Sequence, residues 1–334
     1  MRSNLAGSVA GAPRRPGNAE PKADFSPHTD SSRVIRDDSP RPRRSRFRSG
    51  SLAPIAWIAV LLYAMFLLYP LVQSLLWSFT NKSPLLPTSR FVGLANYASL
   101  FTDEQLRDSL VFTAIVVVFV TVVANVIGLG FAILLNQTAR HYRILRTLIF
   151  IPQVLSGVIV AFIWQSILTQ GGLLNSALVQ LGIVKTAVPW LGTSQLATLS
   201  ICVAVSWITI GFATVVYSAS LQSVPAELYE AARMDGAGAA KRFRHVTFPM
   251  IAPGMTISVV LSLITTFKLY DVIAVMTGGG PAESTQSTAF YLINVAFTDN
   301  RFGYASAIAM LLLALTAGVA YGVTYLLRKR EAAL

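Results

Sequence analysis

The sequence predicts an all-α, polytopic membrane protein with six transmembrane helices. Only 13% of its 334 residues are charged and 54% are hydrophobic, whereas a soluble domain carries about 25% charged residues. The mean hydropathy is +0.58. A helix needs about 20 apolar residues to cross a bilayer core, and six runs meet that length: 52–79, 108–135, 145–169, 197–221, 251–276 and 304–327.

The third and fourth runs are the least uniform. Pro152, Gln153 and Gln165 interrupt the third, and polar or small residues such as Thr209 and Gly211 interrupt the fourth. Such residues are tolerated in membranes where helices face one another or a cavity. We therefore predict a span for each run, and expect the third and fourth to face other helices or a cavity.

The distribution of Lys and Arg predicts the orientation, because cytoplasmic loops carry the excess of positive charge. With both termini cytoplasmic, the external loops hold five basic residues: Lys82, Arg90, Arg107, Lys185 and Arg301. The cytoplasmic loops and C-terminus hold ten: Arg140, Arg143, Arg146, Arg233, Lys241, Arg242, Arg244, Arg328, Lys329 and Arg330. Both termini are therefore predicted to be cytoplasmic.

Residues 1–50 are predicted to form a disordered, basic cytoplasmic tail. They contain 11 of the 27 Lys and Arg residues and 5 of the 15 Asp and Glu residues, with many Pro, Ser and Gly. This composition cannot bury enough apolar area to offset the entropy of ordering. The tail can face lipid headgroups or act as a nucleic-acid-binding arm; we favour lipid and expect no nucleic-acid partner.

A polar segment at 222–250 lies between the fourth and fifth runs, on the predicted cytoplasmic side. Pro225 suits the first turn of a helix, and Asp235-Gly236 has turn chemistry. A second short helix is predicted through Ala239–Phe243, which Pro249 would end before the next span. The segment thus predicts two short helices joined by a bend, which bind a partner or lie in the membrane interface.

The residues Glu230-Ala231-Ala232, followed by Asp235-Gly236-Ala237, Phe243, Pro249 and Pro253, resemble the EAA loop of binding-protein-dependent ABC importer permeases. In that family the loop is the coupling helix that docks into the ATP-hydrolysing subunit. The resemblance assigns coupling to the ATPase to these positions: Glu230, Ala231, Ala232, Asp235, Gly236, Ala237, Phe243 and Pro249.

Other segments resemble the carbohydrate branch of the same family. They are Arg90–Tyr97, Leu221–Pro225, Thr277–Pro281 and Gly303–Ala307. The chain is similar to the larger, maltose-permease-like subunit of a sugar importer. The resemblance implies a type I ABC importer permease fold over residues 51–330 in the bacterial inner membrane. It also implies a second homologous permease, two ABC ATPase subunits and an extracytoplasmic solute-binding protein or lipoprotein as partners.

The chain contains no Gly-x-x-x-x-Gly-Lys-[Ser/Thr] phosphate-binding loop. We therefore expect no cofactor in this chain, with ATP and Mg²⁺ held by the partner ATPase subunits. We also expect a transport subunit rather than an enzyme. We identify no catalytic constellation and no metal site.

A sugar crossing the membrane needs aromatic faces and hydroxyl or amide partners in a lined cavity. Alignment on the family motifs favours these substrate-pathway residues in the fourth and fifth runs: Trp207, Thr209, Phe212, Ser262, Thr265, Thr266, Lys268, Leu269 and Asp271. Helix packing is the simpler explanation for small hydroxyl residues. The alternative function is an ion-coupled secondary sugar transporter that uses Lys268 and Asp271, which are spaced i, i+3 on one predicted helix.

Overall fold

The structure is a computed structural model, and it describes residues 53–136 and 140–332. The predicted tail at 1–50 lies outside this range, so its boundary with the membrane region stays a prediction. Fourteen α-helices are assigned in the described part: α1 (Ala53–Tyr63), α2 (Tyr69–Trp77), α3 (Ala95–Leu100), α4 (Glu104–Leu134), α5 (Arg140–Val154), α6 (Gly157–Leu168), α7 (Leu173–Gln180), α8 (Ser194–Gln222), α9 (Ala226–Met234), α10 (Ala239–Arg242), α11 (Phe248–Phe267), α12 (Asp271–Met276), α13 (Thr288–Phe297) and α14 (Phe302–Glu331).

Six helical segments of the described part are long and apolar enough to cross a membrane. They are Ala56–Trp77, Glu104–Leu134, Gly157–Gln180, Ser194–Gln222, Ala239–Phe267 and Phe302–Glu331. Two π-helical turns, Ala64–Leu68 and Phe243–Thr247, lie within the first and fifth of these segments. The all-α, six-span prediction is confirmed, although the third span begins later than the apolar run suggested.

Helices α4 and α8 pack side by side at the centre of the fold, because small residues allow their backbones to approach closely. A β-carbon added at Gly128 of α4 would overlap Ala213 of α8. On the same pair of helices the Tyr217 hydroxyl donates a hydrogen bond of 2.9 Å to the Asn125 side chain. Helices α5 and α11 also pack on α8, so α8 contacts at least three other helices of the core.

A hydrogen-bonded cluster around Asp103 ties the start of α4 to α13 and α14. One Asp103 oxygen accepts from the Leu106 backbone N–H at 3.0 Å and so caps α4. The other accepts from the hydroxyls of Tyr291 at 2.7 Å and Tyr304 at 2.5 Å. Burial raises the pKa of Asp103, but these hydrogen bonds outweigh it and leave the pKa below its ordinary value of 3.8.

We expect Asp103→Asn to destabilise the purified protein by about 2 kcal/mol at neutral pH, because an amide has one acceptor oxygen, which cannot accept from both the Leu106 N–H and the two tyrosine hydroxyls. Since the folded-state pKa is depressed, this contribution is complete above pH 3.8 and is lost as the pH falls through the folded pKa. Thermal unfolding followed by tryptophan fluorescence should therefore show a gap between wild type and variant that closes in acid. Equal midpoints at neutral pH would contradict the assignment.

Candidate functional site

A cavity of about 600 Å³ lies between the middle of α8 and two breaks in neighbouring helices. One face of α8 lines it through Val205, Ile208, Thr209 and Phe212, which recur at helical spacing. The other lining residues are Gln153, Leu155, Gly157, Leu261, Thr265, Thr266, Lys268, Leu269, Asp271 and Val272. Irregular backbone at membrane depth is tolerated where it lines a cavity, so the breaks and the cavity are expected together.

The first break separates α5 from α6 and corrects the predicted span at 145–169. Pro152 lies within α5, which ends two residues later at Val154. The side chain of Ser156 then accepts a hydrogen bond of 3.3 Å from the Ile159 backbone N–H and caps α6. A proline removes a helical hydrogen bond and a serine favours a new helix start. The apolar run is therefore two helices rather than one.

The second break, at Lys268–Tyr270, separates α11 from α12 and corrects the predicted relation between Lys268 and Asp271. Lys268 is the C-cap that follows Phe267, the last residue of α11, whereas Asp271 is the first residue of α12. The carbonyl of Leu269, freed by the break, accepts a hydrogen bond of 2.5 Å from the Ser287 hydroxyl. The two charged residues therefore do not share one helix surface.

Asp271 lies against the start of α6. A β-carbon added at Gly157, the first residue of α6, would overlap the Asp271 carboxylate. One carboxylate oxygen also accepts from the Val272 backbone N–H at 3.0 Å, at the start of α12. Helix N-termini carry partial positive charge and stabilise carboxylates. Asp271 is therefore hydrogen-bonded at the start of α12 and lies beside the start of α6, and among the described residues it forms no ion pair.

The threonine hydroxyls of the cavity are already used as donors within their own helices. Thr209 donates to the Val205 carbonyl at 2.8 Å, Thr266 donates to the Ser262 carbonyl at 2.8 Å, and Thr265 donates to the Leu261 carbonyl. Their oxygens can still accept. The cavity side chains that make no hydrogen bond to another described residue and can donate to a ligand are the Lys268 ammonium and the Gln153 amide.

Two predicted pathway residues do not line this cavity. Trp207 lies on the opposite face of α8 from Thr209 and packs edge-on against Trp164, with ring centroids 6.0 Å apart. Ser262 is 1% exposed and buried in the helix packing. The other seven predicted residues line the cavity, and their part in a substrate pathway stays a prediction. Sequence reasoning missed Gln153 and Gly157, although the Ser156-Gly157 pair is a recognisable helix start.

The EAA-like segment forms the short helix α9 and the start of a second helix, α10, and the two are joined at a bend at Gly236, as its sequence predicts. The N–H of Gly236 bonds the Arg233 carbonyl at 3.0 Å, and the N–H of Ala237 bonds the Ala232 carbonyl at 2.9 Å. This pair of bonds is a Schellman motif. Gly236 has φ +72°, the left-handed region that glycine adopts without steric cost. The bend between α9 and α10 therefore depends on this glycine.

Pro249 does not end the second helix, contrary to the sequence-based expectation. Helix α10 continues through the π-helical turn Phe243–Thr247 into α11, and the whole segment Ala239–Phe267 is helical over 29 residues. Pro249 falls in the first turn after the π-helical turn. Because π-bulges and prolines both alter the local hydrogen-bond ladder, the widened turn accommodates the ring without interrupting the helix.

One face of α9 is anchored and the opposite face is exposed. The hydroxyls of Tyr229 and Thr247 share a hydrogen bond of 3.0 Å, which fastens α9 to the π-helical turn. On the other face Met234 is 88% exposed, next to the small residue Ala231. The carboxylates of Glu230 and Asp235 are exposed and bond no other described residue, so no side-chain bond of theirs holds the segment in place.

Comparison with known proteins places this arrangement in a family. Residues 124–331 match the family model described as "Binding-protein-dependent transport system inner membrane component". The chain is 31% identical to the "Probable starch degradation products transport system permease protein AmyD" of Thermoanaerobacterium thermosulfurigenes, over 79% of this chain and 89% of that protein. It is also 31% identical to the "Trehalose/maltose transport system permease protein MalF" of Thermococcus litoralis, over 84% and 94%.

A solved structure shares the fold. It is the "bacterial alginate ABC transporter in complex with alginate pentasaccharide-bound periplasmic protein", one chain of which superposes with a TM-score of 0.75 at 19% identity. The match covers 85% of this chain and 96% of that one. The predicted family and the type I importer fold are thereby confirmed. The chain belongs to the family of binding-protein-dependent transport system inner membrane components, as a multi-pass permease subunit of an ABC transporter.

Proposed function

We propose that this chain is the permease subunit of an ATP-driven importer for a sugar, and that it forms half of the translocation pathway. The relatives named for starch degradation products and for trehalose or maltose support a di- or oligosaccharide as the substrate class. The cavity supports it as well, because it combines an aromatic ring at Phe212 with amide, ammonium and carboxylate groups at Gln153, Lys268 and Asp271. Such groups are suited to a molecule rich in hydroxyls.

The observation that carries the proposal is the continuous helix from Ala239 to Phe267. It begins beside the EAA-like bend and ends at the cavity, where Thr265 and Thr266 are part of the lining. At 1.5 Å per residue, 29 residues span about 43 Å. A displacement of the cytoplasmic end is therefore transmitted along one continuous helix to the residues that face the substrate.

The energy source lies on partner subunits. ATP and Mg²⁺ bind two ABC ATPase subunits, one of which receives the exposed face of α9 that carries Ala231 and Met234. A second, homologous permease completes the pathway, and a solute-binding protein or lipoprotein delivers the sugar to the external face. ATP binding shifts the population between two arrangements of the helices by stabilising one of them.

The ion-coupled alternative is not supported. It required Lys268 and Asp271 to act together, but the two residues belong to different helices and form no ion pair within the described part of the chain. The family match is to transport components that depend on a binding protein. We therefore assign no proton or sodium relay to these residues.

Uptake of radiolabelled sugar by cells tests the proposal. The sugar is first identified by thermal-shift screening of the solute-binding protein encoded beside this chain. Uptake should be lost when the partner ATPase gene is deleted, and should persist in the wild type when a protonophore collapses the ion gradient while ATP is maintained. Uptake that survives the deletion and stops with the protonophore would overturn the proposal.

A further inference from the structure

A second cavity, of about 380 Å³, lies between α9 and the cytoplasmic ends of α4 and α8, and it is lined by two arginines. Arg233 comes from the end of α9 and Arg242 from the end of α10. The remaining lining residues are Ile133, Asn136, Leu221, Tyr229, Ala239, Phe243 and Thr247, none of which is acidic. Two positively charged side chains therefore lie in one cavity, and no other residue that lines it is negatively charged.

Neither arginine is neutralised elsewhere in the described part of the chain. The single ion pair found there joins Arg107 to Asp108, far along the sequence. No hydrogen bond from the side chain of Arg233 or Arg242 to another described residue is present. A guanidinium group without such a partner binds phosphate and carboxylate strongly, because its planar N–H donors fit two oxygens at once.

The position of Arg233 on α9 points away from the surface proposed for the ATPase. Arg233 follows Tyr229 by four residues, so both lie on the same side of the helix. Tyr229 is fastened to Thr247 inside the protein, whereas the exposed Met234 lies on the other side. Arg233 is also exposed, and it lines the cavity at the ends of the membrane helices.

An exposed apolar ridge on α4 leads to this cavity. Val118, Val122 and Val126 recur every fourth residue and are 62%, 56% and 66% exposed. Further along α4, Ile133 is 41% exposed and is itself part of the cavity lining. The ridge continues for about four turns of helix, which matches an acyl chain lying beside a transmembrane segment.

We propose that Arg233 and Arg242 bind the phosphate of an anionic phospholipid in the cytoplasmic leaflet, whose acyl chains lie along the α4 ridge. The basic cavity is at the predicted cytoplasmic boundary, where the negatively charged headgroups of anionic lipids attract Lys and Arg side chains. The lipid holds the coupling segment against the ends of α4 and α8. A soluble phosphate compound has the same recognising group, and the experiment separates the two sources.

Native mass spectrometry of the full-length chain, titrated with phosphatidylglycerol or phosphatidylcholine in a detergent micelle, measures the site. Phosphatidylglycerol should bind more tightly than phosphatidylcholine. Arg233→Gln and Arg242→Gln should each weaken it roughly fivefold, and the double variant roughly thirtyfold. Lys241→Gln is the matched control, because it removes one charge from the same helix but Lys241 does not line the cavity. It should change binding less than twofold.

Three outcomes would overturn the inference. The first is an equal loss in Lys241→Gln and the arginine variants, which would mean general attraction to negative charge. The second is glycerol phosphate binding as tightly as the lipid, which would assign the cavity to a soluble phosphate compound. The third is unchanged lipid binding in the double variant with weaker association of the ATPase subunit in lipid-free detergent, which would make the two arginines part of that interface.

Discussion

Replacing Gly236 with valine should reduce sugar-stimulated ATP hydrolysis by the assembled transporter at least tenfold. Gly236 has φ +72°, and an L-residue in the left-handed region costs about 1–2 kcal/mol, more when it is β-branched. The valine would open the Schellman motif and turn α9 away from α10. The face carrying Ala231 and Met234 would then no longer meet the ATPase.

Gly238→Val is the matched control for this prediction. Gly238 lies two residues away, has φ −67° and ψ 170°, and an added side chain would meet open space. A valine adopts that backbone conformation without strain, so the rate of ATP hydrolysis should stay within about twofold of the wild type. Binding of the sugar-loaded receptor should be normal in both variants. Equal activity of the two variants would show that the bend does not carry the coupling.

Gly157→Ala should lower ATP-dependent sugar uptake at least tenfold while leaving receptor binding intact. The added β-carbon would overlap the Asp271 carboxylate at the start of α6. Asp271 would have to leave its place beside the first turn of α6 and give up its hydrogen bond to the Val272 backbone N–H. Uptake into proteoliposomes measures the effect, and Gly130→Ala, where the added carbon meets nothing within 4 Å, is the control.

A double-mutant cycle separates the loss of the Asp271 position from a general distortion of α6. Asp271→Ala removes the carboxylate that the new carbon would overlap. In that background, Gly157→Ala should have little further effect on uptake. If the double variant instead loses uptake by the product of the two single losses, Gly157 acts through something other than Asp271. The proposed role of the Asp271 carboxylate in the cavity would then be wrong.

The sequence predicted the number of spans and the bend at Gly236 because both depend on local signals. Apolar runs of about 20 residues specify spans whatever they pack against. Asp235-Gly236 specifies a bend because glycine adopts the left-handed conformation far more readily than other residues. The role of Pro249 was not predictable in the same way, since the π-helical turn just before it allows the helix to continue through the proline.

The helix breaks that form the cavity could not be located from hydropathy. The run 145–169 is apolar on both sides of Ser156, and the run 251–276 carries only the two charges Lys268 and Asp271. What stabilises each break is tertiary, as with the Ser287 hydroxyl that satisfies the Leu269 carbonyl. Alignment on the family motifs favoured Trp207, whereas the helical spacing from Thr209 and Phe212 puts Trp207 on the other face of α8.

Labelling of a cysteine at position 265 tests the link between the coupling segment and the cavity most directly. Cys202 is buried and is the single cysteine of the chain, so Thr265→Cys in a Cys202→Ala background gives one reactive site in this subunit. A membrane-impermeant thiol reagent, added from outside to the assembled transporter with its receptor, should react at least tenfold faster when a non-hydrolysable ATP analogue is bound. Adding Gly236→Val should abolish that increase. A labelling rate that does not depend on the nucleotide would contradict the account.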